Sequence, residues 1–431
     1  MLAELIAQCV AHPDDDDPRL VYADAVDGDR GELIAVECAI ARGELRPEIA
    51  IDRRRREAEL LRQAATFANL DGPATDYEFR RGFVESASVE WNVFVERGEE
   101  LFQRAPLLSR IDMGGLFDVP EAEILKRLDA VIAAPWFARI HTLRMVEVGQ
   151  WVDTESDYNP RDFRAAGSAV MRRLVESGAL ATLRGIEMPS SGLSGSDLRR
   201  LGECPQASGL VTLSVRHQDN GRYTGLDSSD IAALVELPHL GALENLDVAG
   251  ALGHGPMLGG QTREERRAAS RAAADGDAKL LAHPRFRALR SLGIARGSFS
   301  EAMIDALATS SFTRLERLDL SRNDVFAEDW TRIANAPGFA KLRELQFDGP
   351  CQYVFDAKMA TALGATPANG GFPALRILRV QNNMVTAEAA TALVASPLAA
   401  QLEVLDLRRN SNLKATALRE RFKGMLLVDG D

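Results

Sequence analysis

Leu315-Glu316-Arg317-Leu318-Asp319-Leu320-Ser321-Arg322-Asn323 has the form L-x-x-L-x-L-x-x-N. The frame returns at Leu342-Arg343-Glu344-Leu345-Gln346-Phe347, at Leu375-Arg376-Ile377-Leu378-Arg379-Val380-Gln381-Asn382-Asn383, and at Leu402-Glu403-Val404-Leu405-Asp406-Leu407-Arg408-Arg409-Asn410. A recurring period dictates architecture ahead of any single motif. On a strand, Leu318 and Leu320 point the same way, because side chains alternate with period two. They enter the core and leave Asp319 facing solvent. Asn323 falls where the chain turns away from the strand and can bond backbone groups there. Ala327 to Ala336 has helical composition and covers the other side of the core. Ala336-Pro337-Gly338-Phe339 then ends that helix, as Ser396-Pro397-Leu398 does later. Each unit leaves an apolar edge that only its neighbour covers, so stacking is obligatory.

Outward from this stretch, the first frame position recurs at residues 108, 140, 183, 210, 243, 289, 315, 342, 375 and 402. Most intervals fall in the high twenties or low thirties, the range of the longer leucine-rich units. The two longest intervals locate insertions near 148–170 and 250–280. The first insertion holds Trp151, Asp153, Glu155, Asp157, Tyr158 and Asn159; the second holds a glycine stretch and an Arg/Ala-rich helix over Thr262 to Lys279. Long insertions in repeat arrays emerge from one side and add contact surface.

The frame resembles that of ribonuclease-inhibitor-type leucine-rich repeats. The resemblance is closest from Leu289 to Asn410. It implies an α/β solenoid over residues 73–431: a horseshoe with parallel inner strands and outer helices.

The first seventy residues read differently. Leu2, Leu5, Ile6 and Cys9 mark one face of a first helix. Pro18, with Asp17 as cap, starts a second. Gly31 to Arg42 reads as a third helix and Ile51 to Ala68 as a fourth, with a boundary at Asp71-Gly72-Pro73. Phe83 to Val89 is the first strand. The stretch Pro18-Arg19-Leu20-Val21-Tyr22-Ala23-Asp24, followed by Gly31-Glu32-Leu33-Ile34, is similar to the D-x-P-R-L-x-Y-A-D and G-E-F-I motifs of a short bacterial repeat-companion domain. That resemblance implies a small all-α cap domain over residues 1–72, ahead of the repeats, and no assigned chemistry. The segment after Asp24 is shorter than in that family and lacks its Trp.

Composition bounds the function classes. The 431 residues carry 51 Lys and Arg against 63 Asp and Glu, a net charge of −12. A nucleic-acid binder normally shows a basic balance or patch, so the balance argues against nucleic acid as a partner class here. The acidic balance weakly favours a basic partner. The N-terminus lacks the basic start and unbroken apolar run of a signal peptide, and no window is apolar enough for a membrane span. A cytoplasmic location is the expectation. Cys9, Cys38, Cys204 and Cys351 are spaced as isolated thiols of a reducing compartment.

No catalytic set assembles. The histidines at 12, 141, 217, 239, 254 and 283 form no H-x-x-x-H pattern. His217 is a contact candidate at a strand end. Asp14 to Asp17 lack calcium-loop spacing and read as an acidic capping turn. Arg19, Asp24 and Tyr22 read as helix-to-helix packing. Gly253, Gly255, Gly259 and Gly260 do not form a phosphate loop. Ser190 to Ser196 is a turn rather than a nucleophile elbow. Arg53 to Arg56 reads as a solvated helix face. The expectation is no cofactor, no metal and no enzymatic activity.

The strand x positions define the expected contact surface: Thr212, Ser214 and Arg216; Asn245 and Asp247; Arg317, Asp319 and Ser321; Glu344, Gln346 and Asp348; Arg379 and Gln381; Asp406 and Arg408. Arg216, Asp247, Arg317, Asp319, Gln346, Asp348, Arg379, Gln381, Asp406 and Arg408 are the expected contacts for a protein or peptide partner on a concave face. The rival readings are a substrate-recognition or regulatory subunit of a separate enzyme, a hydrolase or transferase formed by the insertions, and an RNA binder using Arg53 to Arg56.

Overall fold

The computed structural model describes residues 1–26, 28–43, 45–63, 70, 74–153, 161–216, 226–252, 273, 276–297, 299–349, 354–365, 372–410, 413 and 415–429. The chain forms two compact units, 1–191 and 192–431. The boundary expected at residue 72 does not coincide with that division.

In the first unit, helices α1 (Leu2–Ala11), α2 (Asp16–Val26), α3 (Gly28–Arg42) and α4 (Pro47–Leu61) precede a hairpin of β1 (Asp76–Arg80) and β2 (Phe83–Glu90). Helix α2 starts two residues before Pro18. Asp15, not Asp17, supplies the capping oxygen, accepting the Asp17 N–H at 3.0 Å. Pro18 still lies in the first turn, where its missing N–H has no intrahelical partner to lose. The hairpin turn, Arg81-Gly82, has φ of 51° and 76°. This matches the left-handed pair that a two-residue hairpin loop favours. Gly82 is obligatory for a second reason. A Cβ there would meet Ile34 Cγ1 at 2.2 Å. Strand β1 escaped the sequence reading because its residues Asp76-Tyr77-Glu78-Phe79-Arg80 are half polar and lie at a sheet edge.

Cys9, Tyr22, Ala23, Ile34 and Cys38 share one core with Phe83 and Leu107. The helices therefore pack directly on the hairpin. Arg19 is fully buried. It donates to Glu85 Oε1 at 2.6 Å and to the Pro13 carbonyl at 2.7 Å, and lies over the Phe83 ring. Its partner is thus a strand residue, and Asp24, expected to pair locally, is exposed. Asp16 pairs with Arg42 and Arg81. Of the Arg53 to Arg56 run, Arg56 binds Glu32 at 2.6 Å. Burial pushes the Cys38 thiol up to about 12, so it is unreactive.

Strand β2 is followed in parallel by β3 (Arg110–Gly114), β4 (Thr142–Arg144) and, after the antiparallel pair β5 (Gly149–Asp153) and β6 (Arg161–Ala165), by β7 (Gly185–Glu187), which pairs with β4. Helices α5 (Trp91–Arg104), α6 (Glu121–Ala133) and α7 (Gly167–Glu176) alternate with them. The β5–β6 pair is the described part of the first insertion.

In the second unit, eight short strands run in parallel: β8 (Thr212–Ser214), β9 (Asn245–Asp247), β10 (Ser291–Gly293), β11 (Arg317–Asp319), β12 (Glu344–Gln346), β13 (Ile377–Arg379), β14 (Val404–Asp406) and β15 (Met425–Leu427). Helices α8 (Gly195–Glu203), α9 (Ser228–Leu234), α10 (Pro284–Arg287), α11 (Glu301–Ala308), α12 (Ala327–Ala334), α13 (Ala357–Gly364), α14 (Ala387–Val394) and α15 (Ala415–Arg419) belong to the same unit. Consecutive members from α11 to α14 pack on one another. This is a solenoid-like α/β architecture. Residues 253–272, most of the second insertion, lie outside the described residues, as does His217.

The frame leucines behave as the period requires. Positions 108, 140, 183, 210, 243, 289, 315, 342, 375 and 402 are all buried. The central strand leucines 213, 246, 292, 318, 345, 378, 405 and 426 stack in register and are buried too. Truncating one to Ala costs about 2–5 kcal/mol in a core of this kind. Trp330 of α12 meets Phe347 edge to face at 4.9 Å, which ties a helix to the strand ladder.

The frame asparagines close the turns. Asn410 is 3% exposed. Its Nδ2 donates to the carbonyls of Val380 at 2.7 Å and Leu407 at 2.9 Å, and its Oδ1 accepts the N–H groups of Asn383 at 2.8 Å and Val385 at 3.1 Å. Asn323 likewise donates to Ile294 and Leu320 and accepts from Gly297. Each asparagine thereby joins its own turn to the preceding one.

Candidate functional site: the polar face of the second strand ladder

The strand registers place the x residues in two rows. One runs Thr212, Asn245, Ser291, Arg317, Glu344, Ile377, Val404 and Met425; the other runs Ser214, Asp247, Gly293, Asp319, Gln346, Arg379, Asp406 and Leu427. Neighbours in a row stand about 4.8 Å apart along the sheet, so long side chains reach across strands. The first row is polar from β8 to β12 and apolar from β13 on; the second, apart from Gly293, is polar from β8 to β14 and apolar at β15. The polar face therefore narrows to one row after β12.

Gly293 makes a gap in the second row. Asp247 leans into it: a Cβ on residue 293 would meet the Asp247 Oδ1 at 2.5 Å. Arg216 spans the gap, with its Nε 3.4 Å from the Asp247 carboxylate and its Nη2 on the Asp319 carboxylate. Asp247 keeps 29% of its side-chain exposure. Even so, the surrounding protein pushes its carboxyl up to about 6, against the opposing pull of Arg216. A hollow of about 260 Å³ lies beside this bridge, lined by Asp247, Gly293, Arg317, Asp319, Glu344 and Gln346 among others.

A second hollow, of about 270 Å³, lies at the ends of the strands. Its lining includes Arg216, Arg296, Arg322, Gln346, Asp348, Gln381, Asn382 and Arg409. Asp348 accepts from Gln346 Nε2 at 2.8 Å and from the Gln381 N–H at 2.7 Å, and burial raises its carboxyl above the ordinary range.

The structure sorts the expected contact residues. Arg379 binds Glu344 at 2.8 Å and approaches Asp406 at 3.5 Å. Arg408 grips Asp406 through Nε at 3.0 Å and Nη2 at 2.7 Å. Asp406, expected to face a partner, is fully buried beneath these groups and Gln381. It organises the face and is not available for contact. Arg216, Asp319, Gln346, Asp348 and Gln381 line a hollow and are engaged with one another or with their neighbours. Arg317 is exposed and forms no ion pair with any described residue.

The residues that the sequence reading missed sit one position before the ninth frame position, which is Asn323, Asn383 and Asn410 in three units and Ala251 and Gly297 in two others. Here the chain leaves the sheet in a left-handed conformation: Gly250 has φ 82°, Arg296 57°, Arg322 59°, Asn382 53° and Arg409 60°. The recurring dipeptides Arg322-Asn323, Asn382-Asn383 and Arg409-Asn410 carried that signal. The first unit has a smaller polar face of the same kind, in which Arg110 and Arg144 meet Glu187 at 2.8 and 3.7 Å and Arg144 also contacts Asp112.

Among the described residues, no group of His, Cys, Asp or Glu could hold a metal ion, and no helix is long and apolar enough to cross a membrane. No protein-family model matches the chain, and no curated protein matches it in sequence. A Bacteroides fragilis protein solved by crystallography as a structural-genomics target is similar at 12% identity, over 67% of this chain and 72% of that one, with a TM-score of 0.42.

Proposed function

We propose that the chain is a non-enzymatic recognition protein that binds a protein or peptide partner along the polar face of the β8–β15 ladder. We read this ladder as the concave side of a leucine-rich-repeat array, with the N-terminal helices as a repeat-companion cap. One observation carries the reading. The face holds side chains of both signs in fixed cross-strand positions, and two hollows open between them. Arg216, Asp319, Arg379 and Arg408 are locked by ion pairs, so a partner meets groups that lose little further freedom on binding. Arg317, exposed beside the first hollow, is the free anchor.

The test is affinity capture from a native lysate of the source cells with wild type, Arg317→Glu and, on a helix, Glu388→Lys. The face reading expects a protein held by wild type and by Glu388→Lys that is lost with Arg317→Glu. Equal recovery with all three would refute it. Reversing Arg379 or Arg408 is a poorer probe, because either change strands the buried Asp406.

A further inference from the structure

Arg296, Arg322 and Arg409 occupy a position where the backbone is left-handed. Glycine adopts that conformation freely and asparagine tolerates it, whereas a long side chain is disfavoured there. The equivalent residues Gly250 and Asn382 are the easy choices. Arginine stands there three times, and all three arginines line the same hollow of about 270 Å³. Strain kept at several positions and converging on one cavity points to a use for the side chains.

The charges of that hollow are unbalanced. Arg216 is matched by Asp247 and Asp319. Arg322 and Arg409 are exposed, and neither forms an ion pair with a described residue. The one carboxylate among the described lining residues, Asp348, is occupied by Gln346 and the Gln381 N–H. On a chain of net charge −12 this is a local cationic basin. Its volume lies below the roughly 300–1,000 Å³ of pockets that enclose a small ligand, and its lining is polar rather than apolar. It suits a side chain presented by a larger partner. Guanidinium forks match carboxylates two hydrogen bonds at a time. A nucleic-acid backbone would need a basic stripe, whereas Asp247, Asp319 and Glu344 interrupt the cations along this face.

We propose that this hollow receives the carboxylate side chain of an acidic peptide segment of the partner, clasped by Arg322 and Arg409. The proposal rests on the reading of the ladder face as a recognition surface, and Gln346, which lines both hollows, makes the basin continuous with that face.

The experiment is fluorescence anisotropy on the full chain at about 150 mM salt, where exposed charges beyond about 8 Å are screened. The probes are a labelled peptide alternating Glu with Gly, its Gln counterpart, and inorganic phosphate as competitor. The Glu peptide is expected to bind about tenfold or more tightly than the Gln peptide, the factor for one charge-assisted contact. Arg322→Gly and Arg409→Gly are each expected to lose a similar factor while their melting temperatures stay level or rise, because glycine relieves the left-handed backbone. A purely structural role for these arginines would lower the melting temperature instead, and that result overturns the proposal. Equal binding of the two peptides also overturns it, as does inorganic phosphate binding as tightly as the Glu peptide, which would mark a free oxyanion site. Glu388→Lys, on a helix, is expected to leave the peptide affinity within about twofold. If Glu-peptide binding fails while lysate capture still depends on Arg317, the acidic-anchor idea falls and the recognition face stands. If capture is indifferent to Arg317 while selective Glu-peptide binding persists, the face reading falls and the acidic anchor stands.

Discussion

Glu37→Gln should uncouple the stability of the first unit from pH. Glu37 is 6% exposed and accepts the Gly82 N–H at 2.6 Å. Burial pushes its carboxyl from 4.5 to about 7, with the charges of Glu57 and Glu85 adding and that of Arg19 opposing. The folded pKa lies above the unfolded one, so the folded state holds its proton longer. The group is harmless below pH 4.5, and its burden grows as pH rises to about 7 and is constant beyond. A shift of that size, at 1.36 kcal/mol per unit, is worth about 3 kcal/mol. Glutamine retains the oxygen that accepts from Gly82 and cannot ionise. Its second amide hydrogen needs a partner, which adds a fixed cost independent of pH. The stability of Glu37→Gln relative to wild type should therefore improve by about 3 kcal/mol between about pH 4.5 and 7.5. For a unit of this size that is about 6–12 °C in melting temperature. Urea titrations at several pH values, followed by circular dichroism, measure the difference. A relative stability that stays flat across that range would show that Glu37 ionises normally and that its burial has been misread.

Asn410→Ala removes the bonds to Val380, Leu407, Asn383 and Val385 from a buried site. The cost should be about 3–5 kcal/mol in denaturant titrations, and the pairing of Asn383 with it should make Asn383→Ala and Asn410→Ala non-additive in a double-mutant cycle. Gly293→Val fills the gap that Asp247 enters. It should break the Arg216 bridge and cost about 1–3 kcal/mol by overpacking, which the same titrations would register. Arg19→Met leaves Glu85 with only Arg80 as its cation among the described residues and should destabilise by about 3–5 kcal/mol. A loss below about 1 kcal/mol would place the Arg19–Glu85 pair with ordinary surface bridges.

The strand ladder was legible in the chain because its code is local. Leucines two apart must share a face of a strand, and a frame that repeats must stack, so Leu315, Leu342, Leu375 and Leu402 announced their burial. Asn323 and Asn410 announced the turns for the same reason: the groups they satisfy lie within their own turn and the one before. Two of the left-handed arginines, Arg322 and Arg409, were visible in principle, one residue ahead of Asn323 and Asn410.

What the sequence left open depended on distances across strands. Whether Arg216 is a free contact or a bridge depends on Gly293 lying in register between Asp247 and Asp319, residues separated widely along the chain. Asp406 and Asp319 occupy the same frame position, yet the first is sealed under Arg379 and Arg408 and the second lines a hollow. Arg19 found Glu85, not the nearby Asp24, because the helices fold back onto the hairpin. Periodicity determines which way a side chain points, since that follows from backbone geometry alone. Its partner and its charge state depend on register, burial and the reach of its neighbours, and only the assembled fold decides those.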